Sequence, residues 1–257
     1  MTPYAVFTDI DNTLTVRDHI IPQRNINAVN EARRLGHKVF INTGRSLGNI
    51  PPVIFEQLEF DGVLSGNGTM ITIGEETAFE RFMPEDICLK LVRYYFDNDN
   101  LWAAFEGKKR SYTIPGRPRK PTPLEIPVNS FEEFLEKSAD DDIQVIAGSK
   151  ETDRAFLDSL SKEITCFTFD RYYDIVSAGN NKSHSMLMTL DILGIPVENS
   201  IAIGDGGNDL GMLEAAGTGI AVANAQPELL KYADMVTLSN EEGGVGSAIE
   251  KLILKRG

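Results

Sequence analysis

Cysteine, histidine and basic residues are all scarce in this chain of 257 residues, and each shortage closes off a class of protein. The two cysteines, Cys88 and Cys166, form no CxxC pair and have no histidine close by in sequence. That argues against a disulfide framework and a thiolate zinc site, and both read as small apolar residues. The three histidines, His19, His37 and His184, share no ligand spacing, and His184, near a helix start, is expected to face solvent. Only 25 Lys and Arg stand against 38 Asp and Glu, a net charge of -13, so a nucleic-acid backbone or an anionic membrane surface would be repelled. No apolar run approaches the ~18 residues of a membrane span. The first apolar run begins at Tyr4 with no basic stretch before it, so the expectation is a cytoplasmic protein with no membrane and no nucleic-acid partner. Nothing in the sequence specifies an oligomer, and a monomer is the default.

What is present is a rhythm. Hydrophobic residues make up 42% of the chain, enough for a sizeable core. Short apolar runs at 4–7 (YAVF), 38–41 (KVFI), 62–64 (GVL) and 201–203 (IAI) each end at once in polar or glycine-rich sequence. Runs without alternation suit strands buried on both faces, as in parallel sheets. Between the first two, Pro22 suits a helix start and Gly36 its end, giving a βαβ unit. The pattern returns after Gly194, which closes a helix carrying Leu187, Leu190 and Leu193. Helices near 208–216 and 226–232 then alternate with strands GIAVA and MVTL. The ends of the chain therefore predict one α/β, doubly wound, mostly parallel Rossmann-like sheet, made of residues 1–80 and 181–257. Residues 81–180 read as an inserted α+β domain. It has helices at 84–97, 130–138 and 151–162, a hairpin of 101–106 with 111–114 in which Trp102 and Phe105 suit the inner face, and strands at 143–147, ITCFTF and YYDIVSA.

Open α/β sheets bind ligands at the carboxyl ends of their strands. The residues that follow the runs are Asp9 and Asp11, then Thr43-Gly44-Arg45, then Ser65-Gly66-Asn67-Gly68, then Asp205-Gly206-Gly207-Asn208-Asp209. Carboxylates gathered this closely raise one another's pKa values unless a cation lies among them. A hard, oxygen-loving ion such as Mg²⁺ resolves the conflict. A threonine, glycine-rich amides and a lysine are apt donors to a phosphate, so the chemistry points to phosphoryl transfer. Each signal alone is weak, since DxD pairs and glycine-rich turns are common on surfaces. Their joint order decides for a site.

DIDNTLT at 9–15, NTGR at 42–45, Lys182 in NNKSHSM and GDGGNDLGML at 204–213 resemble, in order, the four motifs of the haloacid dehalogenase (HAD) superfamily. The position and size of the insert, GNG, and the tail AVANAQPELLKYADMVT with EEGGVGSAIEKL resemble its Cof-type phosphatases with a large C2-class cap. Asn12 stands where the family usually has glycine; asparagine tolerates unusual backbone angles. The resemblance implies Asp9 as nucleophile and Asp11 as general acid and base. It implies Mg²⁺ held by the Asp9 side chain, the Asp11 backbone carbonyl and Asp205, with Asp209 supporting the metal through water or orienting Lys182. Thr43, Gly44, Lys182 and Asn208 would bind the phosphoryl oxygens.

The expected activity is hydrolysis of a small phosphate monoester, a sugar phosphate or a phosphorylated cofactor, through an aspartyl phosphate. Two other classes fit part of the pattern. A phosphotransferase such as a sugar phosphomutase would share every core residue. A receiver-like phosphoryl acceptor would share the acids, threonine and lysine, but at ~120 residues it leaves the insert and GDGGND unexplained. The stretch 108–120, KKRSYTIPGRPRK, concentrates Lys108, Lys109, Arg110, Arg117, Arg119 and Lys120 in an acidic chain. A solvated face is its default reading, and a contact to a second anionic group of the substrate is the alternative.

Overall fold

The computed structural model describes residues 2–114 and 124–255. In chain order the elements are β1 (Ala5–Thr8), α1 (Gln23–Arg34), β2 (Lys38–Asn42), α2 (Val53–Gln57), β3 (Gly62–Ser65), β4 (Met70–Ile73) and β5 (Glu76–Glu80). Then come α3 (Glu85–Phe96), β6 (Ala103–Gly107), β7 (Ser111–Thr113), β8 (Glu125–Pro127), α4 (Phe131–Ser138), β9 (Ile143–Ser149), α5 (Arg154–Ser159), β10 (Ile164–Thr168) and β11 (Tyr172–Ser177). The chain continues with α6 (Lys182–Leu193), β12 (Ser200–Gly204), α7 (Leu210–Ala215), β13 (Thr218–Ala221), α8 (Pro227–Tyr232), β14 (Met235–Val236) and α9 (Gly244–Leu252). Contacts divide the chain into two compact units. The first holds the residues up to Thr43, Pro51–Phe79 and the chain from Asn181 on; the second holds Gly44–Ile50 and Glu80–Asn180.

The first unit is built on a sheet of order β14-β13-β12-β1-β2-β3-β4-β5, parallel from β14 to β3, with β4 antiparallel to β3. Every residue of β1, β3 and β12 is buried, as strands covered on both faces require. Phe7 and Phe40, register partners on β1 and β2, stack at 5.3 Å between ring centroids. The doubly wound α/β class expected from the sequence is therefore the fold. The hairpin that adds β4 and β5 left no sequence signal, because β5 (ETAFE) is almost wholly exposed and lacks apolar alternation. The order reverses at β1, which lies between β12 and β2, and such a switch point opens a crevice outside the strand ends.

The second unit is an antiparallel-rich sheet of order β10-β11-β9-β6-β7-β8 with α3, α4 and α5, the α+β arrangement read from the sequence. Phe105, Tyr112, Ile146 and Ile175 pack with Leu91, Tyr95 and Phe134 of the helices in its core. Phe105 is fully buried in that core, whereas Trp102, just before β6, is half-buried and outside the cluster. The helix expected at 151–162 is confined to Arg154–Ser159, because Thr152 is tied back to the Ser149 carbonyl and Asp153 caps the Ala155 amide at 2.8 Å. Cys88 lies in the helical core, where burial pushes its thiol up to about 12, and His184 is exposed as expected. In the basic stretch, Lys108 pairs with Glu80 and Lys109 with Asp140, while Arg110 is exposed. Arg117, Arg119 and Lys120 lie outside the described residues. Among the described residues no helix is long and apolar enough to cross a membrane.

Gly62 shows how tightly the first sheet is packed, since a Cβ there would lie 2.1 Å from the Thr72 carbonyl oxygen and 3.0 Å from the Phe40 ring. Gly62→Ala is expected to lower the unfolding free energy by about 1–3 kcal/mol, as other forced insertions into a packed core do. Urea denaturation measures it, and an unchanged midpoint would contradict this packing.

Candidate active site

Because β1, β12 and β2 are parallel and in register, with Thr8 opposite Ile203 and Ile41, the residues that follow them emerge side by side. Asp9 follows β1 and donates its backbone N–H to the Ile203 carbonyl at 3.0 Å. The chain then turns sharply, with Asn12 in the left-handed region at φ 57, ψ 7, the conformation that asparagine accepts more readily than most residues. The Thr15 amide and hydroxyl both return to the Ile10 carbonyl at 3.0 Å and close the turn. Within it, Thr13 Oγ1 donates to Asp205 Oδ1 at 2.9 Å, joining the first carboxylate motif to the last.

The GDGGND segment is organised by its final residue. Asp209 is fully buried, and its Oδ2 accepts the backbone N–H groups of Asp205 at 3.0 Å and Gly206 at 2.9 Å. Gly204 permits that closeness, since a Cβ there would fall 2.5 Å from the Asp209 Cβ. The other oxygen, Asp209 Oδ1, lies 2.6 Å from Lys182 Nζ, and the same ammonium lies 2.6 Å from Asp9 Oδ1. Lys182 reaches them as the first residue of α6, whose N-cap, Asn181, accepts the His184 amide at 2.8 Å. The helix buries Lys182, Ser185, Met186, Thr189 and Leu190, one stripe at helical spacing, and leaves Leu187 38% exposed. The lysine thus occupies a position that an apolar residue fills in most amphipathic helices.

Thr43 follows β2 and is 1% exposed; Gly44 comes next in the chain, is half-buried and groups by its contacts with the second unit. Asn208 is half-buried and donates to Asn67 Oδ1 at 3.2 Å. Asp11 and Asp205 are half-buried. Oxygens of Asp9, Asp205 and Asp209 lie within 4.8 Å of one another; Asp11 is not in that group. Three polar residues of the site lie in the segments named from the sequence but were given no role there: Thr13; Asn67, fully buried at φ 51; and Asn42, whose side-chain amide donates to the Lys182 carbonyl at 2.9 Å. Asn42 had a usable signal, as the lone polar residue closing an apolar strand.

One buried ammonium faces more negative charge than it can balance. Burial raises Asp9 to about 8, with Asp209, Asp11 and Asp205 adding to the rise and Lys182 opposing it. Asp205 is raised to about 6, again mainly by burial. Burial acts to lower the Lys182 ammonium, but Asp209 and Asp9 more than offset it and hold it above the usual lysine range. A cluster of hard oxygen donors whose carboxyls resist ionisation fits a divalent oxygen-seeking cation.

The sequence as a whole agrees with this geometry. The family model of haloacid dehalogenase-like hydrolases matches residues 6–249, and the chain belongs to that family. It is an enzyme of the phosphatase class. Among relatives, YkrA of Bacillus subtilis is 30% identical, with 98% of each chain covered. The 5-amino-6-(5-phospho-D-ribitylamino)uracil phosphatase YitU of the same species is 24% identical, with 97% of each covered. A crystal structure of a protein from Geobacillus kaustophilus superposes with a TM-score of 0.83 at 25% identity, covering 98% of this chain and 99% of the other.

The raised carboxyls fix a pH dependence. A carboxyl whose folded pKa exceeds its unfolded value of 3.8 stabilises the fold below that value. The contribution is lost as pH rises through about 6 for Asp205 and about 8 for Asp9. Without divalent cation the melting temperature is therefore expected to fall between about pH 4 and 8 relative to the cation-loaded protein. The rise in melting temperature on adding Mg²⁺ should grow over the same window. Thermal unfolding with Mg²⁺ or EDTA measures both, and a Mg²⁺ effect that is flat with pH would contradict the charge balance described here.

Proposed function

We propose that this phosphatase is Mg²⁺-dependent and hydrolyses a small phosphate monoester, a sugar phosphate or a phosphorylated cofactor, through an aspartyl phosphate on Asp9. The observation that carries the reading is Asp9 at the carboxyl end of the central strand, bridged by one buried ammonium to Asp209. The ribityl phosphate in the name of the relative YitU agrees with a polyol phosphate as substrate. A monomer acting in the cytoplasm belongs to the same reading.

In the first step a carboxylate oxygen of Asp9 forms a bond to phosphorus while the bond to the ester oxygen breaks, and Asp11 gives its proton to the departing alkoxide. In the second, Asp11, now a carboxylate, takes a proton from water as that water attacks the phosphorus. Phosphate leaves and Asp9 is restored. Thr43, the Gly44 amide, Lys182 and Asn208 bind the phosphoryl oxygens and stabilise the charge that gathers on them. The carboxylates of Asp9 and Asp205 and the backbone carbonyl of Asp11 would hold Mg²⁺, which when bound screens the anionic nucleophile from the anionic substrate. Asp209 has both oxygens engaged, one with Lys182 and one with the loop amides, so its part is to position these groups. The inserted unit is assigned the role of a C2-type cap that recognises the rest of the substrate.

Asp9→Asn and EDTA are each expected to lower phosphate release by at least about 10³-fold, the scale seen when a covalent nucleophile is removed. The measurement is phosphate released from a panel of sugar and cofactor phosphates. Retained activity in Asp9→Asn would overturn the nucleophile, and phosphate transferred to a second sugar instead of water would identify a phosphotransferase.

A further inference from the structure

The catalytic turn is held from outside by three asparagine side chains, each on a different backbone carbonyl. Asn224 Nδ2 donates to the Asn12 carbonyl at 2.8 Å, Asn25 Nδ2 to that of Leu14 at 3.0 Å and Asn240 Nδ2 to that of Thr15 at 2.9 Å. Two of these amides are themselves held by backbone N–H groups. Asn25 Oδ1 accepts from Gly246 at 2.7 Å, and Asn224 Oδ1 accepts from Asn240 at 2.8 Å. The GGVG segment makes the first of these possible, because a Cβ at Gly246 would lie 2.7 Å from the Arg24 carbonyl oxygen. The C-terminal quarter of the chain thus fixes the conformation of a turn that follows its first strand.

Asn25 and Asn240 are buried, at 0% and 9% exposure, and Asn25 also joins α1 to α9 through the Gly246 amide. Asn224 differs. Its side chain is exposed and, like that of Asn25, spans two backbone groups, one donor and one acceptor. A carboxamide supplies both functions from one planar group, which neither an ionised carboxylate nor an alanine can. The carbonyl it holds belongs to Asn12, the left-handed residue immediately after Asp11. Left-handed backbone is costlier for asparagine than for glycine, and rotation out of it would swing the Asp11 side chain.

We propose that Asn224 is a positioning residue for Asp11: it locks the Asn12 peptide and thereby aims the Asp11 carboxyl at the leaving oxygen. This rests on the reading of Asp11 as the proton donor. Proton donation matters most where the departing group is a poor one. An alkoxide must be protonated as it leaves, whereas p-nitrophenolate departs as a stable anion. Misaiming Asp11 therefore penalises alkyl phosphates selectively, while a general loosening of the fold would slow every substrate alike.

The test compares kcat/KM for p-nitrophenyl phosphate and glycerol 1-phosphate in wild type, Asp11→Asn, Asn224→Asp and Asn224→Ala, with the melting temperature of each. Asn224→Asp keeps the acceptor for the Asn240 amide but sets an oxygen against the Asn12 carbonyl; Asn224→Ala removes both bonds and serves if the aspartate variant fails to fold. Either variant is expected to lose about tenfold more activity on glycerol 1-phosphate than on p-nitrophenyl phosphate, within the cost of ångström-scale misplacement of a catalytic group. Asp11→Asn should show the same selectivity. If Asp11→Asn is selective and the Asn224 variants lose activity equally on both substrates, the positioning role is overturned and the reading of Asp11 stands. If Asp11→Asn itself shows no selectivity, the reading of Asp11 fails and this inference falls with it.

Discussion

The Lys182 ammonium, 1% exposed and 2.6 Å from both Asp9 and Asp209, is the interaction on which the rest of the site depends. A buried charge left without its partner costs roughly 3–5 kcal/mol, so each member of this triad constrains the other two. Asp209 in turn binds the amides of Asp205 and Gly206, and Asp205 accepts the Thr13 hydroxyl. One lysine at a helix start therefore connects the first carboxylate turn, the GDGGND loop and α6 into a single electrostatic unit. The balance is incomplete: burial, with the neighbouring carboxyls adding to it, holds Asp9 and Asp205 above their ordinary range and leaves room for a cation.

The sheet makes that arrangement possible. Three parallel strands in register, β12, β1 and β2, deliver Asp205, Asp9 and Thr43 to one edge, and the reversal of strand order at β1 keeps that edge open. Glycine at 204 lets Asp209 fold back against the end of β12, and the left-handed Asn12 turns the chain after Asp11. Function here follows from strand ends placed by a buried scaffold, with side chains of opposite charge drawn into a low-dielectric space where their attraction is strong.

Much of this was legible in the sequence, for physical reasons that differ by residue. YAVF and IAI announce buried parallel strands because both faces must be apolar, and DxD and GDGGND follow them where ligand chemistry belongs. The polar strand β5 gave no such signal, since an exposed strand need not alternate. The burial of Lys182 was hidden as well, because a charged residue on the inner stripe of a helix reads locally as a solvated one. The bonds from Asn224 and Asn240 to the first turn span more than 200 residues and leave no local pattern. The grouping of Gly44–Ile50 with the second unit is a tertiary fact of the same kind.

The central claim is that Asp9 carries the phosphoryl group during turnover. Acid quench of the Asp11→Asn enzyme mixed with Mg²⁺ and p-nitrophenyl phosphate, followed by peptide mass spectrometry, tests it most directly. With attack at Asp9 intact and the base for hydrolysis removed, phosphate is predicted on the peptide containing Asp9, at a higher level than in wild type. Release of p-nitrophenol with no phosphate on that peptide, or with phosphate on another residue, would contradict the account.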